Sequence, residues 1–147
     1  MTDKAQLETA LKDSIRSGDE VRKNTIRMVL SAIKLAEIEK GISLDENGVA
    51  SILQKEVKSR RESIADAQRA NRPDLVAAAE GEITILESFL PKAMSSDELD
   101  ALARQAVQEA GATSLREMGQ VMKILMPRLQ GRASGDQASQ AVRKLLQ

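Results

Sequence analysis

The chain of 147 residues contains no cysteine and no histidine. Without cysteine there is no disulfide framework, no thiol nucleophile and no thiolate metal site. Without histidine the commonest general base at neutral pH and the usual zinc ligand are missing, so Ser-His-Asp, Cys-His and zinc-hydrolase chemistry cannot be built here. We therefore expect no catalytic residues, no cofactor and no metal site.

Aromatic residues and long apolar runs are also scarce. Tryptophan and tyrosine are absent, and Phe89 is the only aromatic residue. We interpret Phe89 as an apolar side chain that packs beside Pro91, rather than as a ligand-stacking group. The start of the chain lacks the apolar core of a signal peptide, and no run approaches the ~18 apolar residues of a membrane span. We expect no membrane association and a cytoplasmic location.

Charge is balanced overall but not along the chain. The 22 basic and 22 acidic residues cancel, which argues against a general polyanion binder. The composition, with 30% charged and 41% hydrophobic residues, is typical of a soluble globular protein. From Leu115 onward, however, basic residues outnumber Glu117 and Asp136; they are Arg116, Lys123, Arg128, Arg132, Arg143 and Lys144.

The stretch from Glu87 to Glu98 is predicted to join two helical subdomains, residues 1–92 and 93–147. Pro91 lacks an amide hydrogen and biases Leu90 away from helical angles, so a helix that reaches Leu90 should end there. Ser95 and Glu98 then have the spacing of a capping box, which predicts a new helix starting at this point.

Four helices are predicted before the joint. The first covers residues 3–17; the second runs from an Asp19 cap to Gly41 and is apolar around so much of its circumference that we expect it to be central. The third follows a Ser43–Glu46 capping box, and the fourth follows an Asn71 cap and ends at Leu90. The last two should pack as a long antiparallel hairpin.

Three helices are predicted after the joint. They run from Ser95 to Gly111, from a Ser114 cap to a kink or end at Pro127, and from the turn at residues 131–136 to the C-terminus. No segment alternates with period two over the length of a strand. The fold class is therefore predicted to be all-α, with an N-terminal four-helix part and a C-terminal three-helix part.

The turn Gly131–Asp136 opens a helix, and helix N-termini attract phosphate. No strand precedes it and no Gly-Lys-Ser/Thr ending follows, so a helix-to-helix turn capped by Ser134 or Asp136 is the favoured interpretation. Arg128 and Arg132 beside it could still hold a backbone phosphate in bidentate fashion.

Three further patterns have a functional and a structural interpretation, and the structural one is favoured for each. The residues Met118, Met122 and Met126 form either a docking stripe or part of the core. The cluster Lys55, Lys58, Arg60 and Arg61 either binds RNA or is a solvated face paired with Glu56 and Glu62. The carboxylates Glu80, Glu82 and Glu87 either bind a metal or are surface charge.

Three stretches of the chain resemble the YqeY family. They are Asn71-Arg72-Pro73-Asp74-Leu75 with Glu80 and Glu82, Leu86-Glu87-Ser88-Phe89-Leu90-Pro91, and Glu117-Met118-Gly119-Gln120-Val121-Met122-Lys123 leading to Pro127 and Gly131-Arg132. The resemblance covers essentially the whole chain. It implies two all-helical subdomains.

The YqeY family is similar to the C-terminal tail of the B subunit of the tRNA-dependent glutamine amidotransferase. In that enzyme the tail helps to hold tRNA, while catalysis belongs to other domains. Together with the local charge, the resemblance implies RNA-backbone contacts by a basic set near the C-terminus, namely Lys123, Arg128, Arg132, Arg143 and Lys144.

Three hypotheses follow. The first is a noncatalytic module that engages tRNA or another structured RNA through the second subdomain. The second is a protein-interaction module that docks a helical face, such as the methionine stripe, onto a partner. The third is an accessory of carbon–nitrogen ligation with glutamine as amido donor, without independent catalysis because the glycine-rich serine loops of an amidase are missing.

Overall fold

A computed structural model describes all residues, from Met1 to Gln147, and contains seven α-helices and no strand. The all-α class predicted from the sequence is thereby confirmed. The helices belong to two compact units, Met1–Pro91 and Lys92–Gln147. In chain order the helices are α1 (Lys4–Ser17), α2 (Glu20–Lys40), α3 (Glu46–Arg69), α4 (Pro73–Glu87), α5 (Ser96–Ala110), α6 (Met118–Leu129) and α7 (Gly135–Leu146), with a 3₁₀ turn at Leu115–Glu117.

The first unit is a four-helix assembly in which α3 and α4 pack against each other and α2 contacts α1, α3 and α4. Its core gathers side chains from all four helices, because each helix has one apolar face that must leave water. The buried core residues are Leu7, Val29, Ile33, Val49, Leu53, Val57, Ile83 and Leu86.

The second unit is a three-helix assembly in which α5, α6 and α7 pack pairwise. Alanines supply much of its core, which lets the three short helices approach closely. The buried residues are Ala103, Ala106, Val121, Leu125, Leu129, Ala133, Ala138, Ala141, Val142 and Leu146.

Several predicted helix ends are confirmed. The Asp19 carboxylate accepts the amide of Arg22 at 3.1 Å. Ser95 and Glu98 form a reciprocal capping box: each side chain accepts the other residue's amide at 3.1 Å. Gly41 and Gly111 end α2 and α5 in the left-handed conformation, with φ of 67° and 65°. These caps satisfy amides and carbonyls that a helix leaves open at its ends.

Two predicted caps are wrong. The N-cap of α3 is Asp45, whose carboxylate accepts the amide of Gly48 at 2.8 Å, and not Ser43. Asn71 lies in the turn with a φ of 54°, and the N-cap position of α4 is held by Arg72 without a side-chain hydrogen bond. Pro73 explains the second case, since it disfavours helical angles at the residue before it and needs no amide partner at the first helical position.

Three other boundaries also differ from the predictions. Helix α4 ends at Glu87, three residues before Leu90. The amides of Phe89 and Leu90 bond to carbonyls three residues back, so this segment forms turns and does not continue the α-helix. Ser114 makes no side-chain cap; a 3₁₀ turn follows it and α6 begins at Met118. Pro127 does not end α6, which continues to Leu129.

Helix α2 is more amphipathic than predicted. Ile26, Val29 and Ile33 are 1–2% exposed, but Val21 and Met28, on another face, are 55% and 51% exposed. The helix is therefore central in its contacts, yet one apolar face is uncovered. None of the seven helices is both long enough and apolar enough to cross a membrane.

Phe89 belongs to the first unit. Its half-buried ring packs against the core of that unit, and the Arg22 guanidinium lies 5.1 Å from the ring centroid. The Thr2 hydroxyl donates to the Phe89 carbonyl at 2.7 Å. The ring therefore has both an apolar contact and a cation–π contact within its own unit.

The Glu37 carboxylate links three segments of the first unit. It accepts from Lys4 Nζ at 2.9 and 3.0 Å and from the Leu44 amide at 2.8 Å. The Lys4 hydrogen bond, followed by the Leu44 amide, holds the pKa of Glu37 below its ordinary value. The start of α1, the end of α2 and the loop before α3 are thus joined by one charged side chain.

Replacing Glu37 with glutamine should lower stability at neutral pH and have little effect in strong acid. Because the pKa of Glu37 is lower in the folded chain, its stabilisation is complete above the ordinary value of 4.5 and is lost as the pH falls through the folded value. Urea unfolding followed by circular dichroism from pH 7 to about pH 3 measures this. A wild-type advantage that stays constant over that range would contradict the prediction.

Candidate nucleic-acid interface

Arg128 on α6 forms a bidentate ion pair with Glu109 on α5. Its Nη1 donates to Oε1 at 3.0 Å and its Nη2 donates to Oε2 at 2.5 Å. These hydrogen bonds lower the pKa of Glu109 and raise that of Arg128. The fork-shaped guanidinium is thus already matched to a carboxylate, the same geometry that it would use for a phosphate.

Arg132 is engaged in a similar way. Its Nη2 donates to Glu98 Oε2 at 2.8 Å, and its Nε donates to the carbonyl of Lys92 at 3.0 Å. Its own carbonyl accepts the Met94 amide at 2.8 Å. Arg132 therefore ties the turn between α6 and α7 to the segment that leads into α5, and a phosphate contact would compete with this role.

The other three residues of the predicted RNA-binding set are exposed. Lys123 lies in the middle of α6, and Arg143 and Lys144 lie together in the last turn of α7. No hydrogen bond or ion pair engages any of the three side chains. The structure therefore divides the predicted set into two arginines bound within the unit and three cations that face solvent.

The segment that holds these three cations contains more basic than acidic residues. Between Met118 and Leu146 the only acidic residue is Asp136, against five basic ones. Two carboxylates of α5, Glu98 and Glu109, are neutralised by Arg132 and Arg128. Lys123, Arg143 and Lys144 are thus the basic residues of α6 and α7 that no carboxylate of α5 neutralises.

The turn before α7 is built as a helix-to-helix connection. Ser134 and Gln137 form a reciprocal capping box: the Ser134 hydroxyl accepts the Gln137 amide at 3.1 Å, and Gln137 Oε1 accepts the Ser134 amide at 2.9 Å. The Met126 side chain lies against Gly135. Of the two predicted caps, Ser134 is the one observed. Because the capping box uses the Gln137 amide, the start of α7 offers fewer open amides to a phosphate.

The amino-acid sequence matches the family model described as Yqey-like protein over residues 4–146. The chain belongs to the YqeY family. The family resemblance predicted from the three sequence stretches is thereby confirmed.

Curated relatives of this YqeY-family chain carry the name Altered inheritance of mitochondria protein 41, mitochondrial. The Lachancea thermotolerans protein is 36% identical over 108 residues, which cover 71% of this chain and 58% of that protein. The Kluyveromyces lactis protein is 39% identical over 109 residues, with the same shares covered. The protein of Saccharomyces cerevisiae strain S288c is 38% identical over 91 residues, covering 61% of this chain and 49% of that protein. The chain spans about half the length of these relatives.

The methionine stripe is largely part of the core in this YqeY-family chain. Met118 and Met122 are half-buried and pack against the second core, and only Met126 is exposed, at 38%. Gly119 does not mediate a close helix contact, because a Cβ added there would meet nothing within 4 Å. The docking interpretation of this stripe is therefore not supported by its exposure.

The basic cluster on α3 is not a uniformly solvated face. Arg60 is 8% exposed and pairs with Glu56 on its own helix and with Glu82 on α4, the latter at 2.9 Å. Arg61 pairs with Glu87 of α4 at 2.8 Å rather than with Glu62. Two of the carboxylates considered for a metal are thus partners of arginines, and no group of three or more acidic side chains in the chain could hold a metal ion.

Of the Glu56–Arg60–Glu82 cluster, the sequence predicted the pairing with Glu56 but not the contact with Glu82. The spacing of four residues between Glu56 and Arg60 is the signal that was available, and it identifies one of the two pairs. Glu82 follows 22 residues later on another helix, so its contact depends on how α3 and α4 pack.

Proposed function

We propose that this YqeY-family chain is a noncatalytic helical module that associates with tRNA or another structured RNA through its second unit. The observation that carries the proposal is the exposure of Lys123, Arg143 and Lys144 without intramolecular partners. Arg128 and Arg132 have a different role: they neutralise carboxylates of α5. Contacts from three cations to phosphates would give affinity without reading sequence.

The composition favours a helical part of the RNA as the target. Single-stranded RNA is usually held by aromatic side chains that stack on bases. The only aromatic residue, Phe89, is half-buried in the first unit beneath Arg22. A double-helical segment of RNA, recognised through its phosphates, is therefore a better target for this chain than unpaired bases.

Replacing Lys123, Arg143 and Lys144 together with glutamine should weaken binding to total tRNA at least fivefold. The reason is the loss of phosphate contacts, while the exposure of all three side chains leaves the fold intact. Filter binding or fluorescence anisotropy at low salt measures the change. The matched control replaces Lys12, Arg16 and Lys40, which are exposed cations of the first unit, with glutamine. This control should weaken tRNA binding less than twofold. Equal losses in the two triple variants would contradict the proposal.

The cytoplasm is the proposed setting of this module. The support for this is the composition, which is that of a soluble globular protein with 30% charged residues and no cysteine. The named relatives carry the word mitochondrial in their names. Fractionation of cells that express the tagged chain tests the proposed compartment, and enrichment in an organelle would contradict it.

A second candidate function is docking onto a protein partner. The observation that favours it is the uncovered apolar face of α2 rather than the methionine stripe of α6. This face belongs to the first unit, so the two functions use different surfaces.

A further inference from the structure

Helix α2 carries an exposed apolar stripe on a face beside its buried one. Val21, Met28 and Leu35 follow one another at intervals of seven residues, which places them along one line of the helix. They are 55%, 51% and 58% exposed, and Ile38, three residues after Leu35, is 68% exposed. We call these four residues the α2 stripe.

The spacing of the stripe is that of a helix-packing seam. An apolar residue every seventh position, with Ile38 at the next seam position, is the pattern by which one helix receives the side chains of another. The intervening seam positions hold Asn24 and Ser31, which are small and exposed. Such a seam suits a partner helix that binds reversibly, since permanent interfaces are more apolar than transient ones.

Met28 lies in contact with a buried arginine of α3. Its sulfur accepts a hydrogen bond from Nη2 of the buried Arg60 at 3.4 Å. The middle of the stripe therefore lies next to the Glu56–Arg60–Glu82 cluster.

One border of the stripe is positively charged and unpaired. Arg27 and Lys34 directly precede Met28 and Leu35, are exposed, and make no hydrogen bond or ion pair. The other cations nearby are occupied: Lys23 pairs with Glu20 at 2.7 Å, and Arg22 lies over the Phe89 ring. Glu20, seven residues before Arg27, lies on the same border but is paired with Lys23, and Glu39 flanks the opposite border four residues after Leu35.

We propose that the α2 stripe docks an amphipathic helix of a partner protein whose edge facing Arg27 and Lys34 is acidic. The stripe supplies the apolar anchors of a helix-in-groove contact, and the two cations select the charge and orientation of the partner. A second copy in antiparallel orientation would bring Arg27 of one copy against Lys34 of the other, which is repulsive. A membrane surface fits less well, because Asn24 and Ser31 interrupt the stripe and no aromatic residue lies on it.

The probe is a synthetic 21-residue amphipathic peptide with leucine at its a and d positions and glutamate at e and g. Its counterpart carries lysine at e and g. Fluorescence anisotropy with the full chain should show at least tenfold tighter binding of the glutamate peptide. The variant Leu35→Ser should weaken that binding at least tenfold, whereas Leu75→Ser, at a residue of α4 that is 48% exposed, should leave it unchanged. The double variant Arg27→Glu with Lys34→Glu should prefer the lysine peptide.

Several results would overturn the proposal. They are equal binding of the two peptides, no binding of either, or equal losses in the Leu35 and Leu75 variants. A concentration-dependent dimer in sedimentation that Leu35→Ser abolishes would instead assign the stripe to a second copy of the chain. Binding to vesicles of anionic lipid without binding to the glutamate peptide would assign it to a membrane surface.

Discussion

Replacing Arg60 with methionine is expected to lower the free energy of unfolding by about 3 kcal/mol. The Arg60 side chain is 9% exposed and contacts two carboxylates, Glu56 and Glu82, which are 22% and 34% exposed. Methionine preserves much of the apolar stem but leaves two partly buried negative charges without their cation. Removing one partner of a buried pair costs more than the pair itself contributes, because the remaining charge is uncompensated.

Two controls isolate the effect of burial. Arg61→Met changes the next residue, whose side chain is 64% exposed and pairs with Glu87, and should cost less than about 1 kcal/mol. Adding Glu56→Gln and Glu82→Gln to Arg60→Met should recover much of the lost stability. Urea unfolding followed by circular dichroism suits this chain, which has no tryptophan. A cost at Arg60 no larger than that at Arg61 would refute the assignment of the cluster as a stabilising element.

Replacing Leu125 with alanine is expected to lower the free energy of unfolding of the second unit by about 3 kcal/mol. Leu125 is 0% exposed and lies in the core formed by α5, α6 and α7. The change removes buried apolar groups and leaves a cavity that the surrounding side chains fill only in part.

The adjacent residue provides the control. Met126 is 38% exposed, so Met126→Ala should cost less than about 1 kcal/mol. Loss of helical signal in urea, supported by hydrogen exchange of the α6 amides, measures the effect in the second unit. A Leu125 variant as stable as the Met126 variant would show that α6 packs with a different face.

The helices and many of their ends could be predicted from the sequence because they depend on local patterns. The Ser95–Glu98 capping box and the Asp19 cap are formed by residues three apart or fewer, so spacing alone identifies them. The Ser43–Glu46 prediction was wrong although its spacing was suitable. Asp45 stands one residue before the helix and takes the cap, while the neighbouring Leu44 amide is held by Glu37.

The features that could not be predicted depend on contacts between distant elements. Arg60 looks like one of several surface cations on α3 until the packing of α4 brings Glu82 to it. Arg128 and Arg132 likewise look available for phosphate until α5 supplies Glu109 and Glu98. The exposed face of α2 was missed for a related reason, since a helix that is apolar on several faces does not reveal which of them the other helices cover.

The most direct test of the proposed function is the salt dependence of tRNA binding by the unmodified chain. If Lys123, Arg143 and Lys144 each neutralise one phosphate, the logarithm of the binding constant should fall with the logarithm of salt concentration with a slope between about −2 and −3. Affinity would then drop roughly 16- to 64-fold between 50 and 200 mM salt. Binding that does not respond to salt, or no binding at 50 mM salt, would contradict the proposal that the second unit associates with RNA.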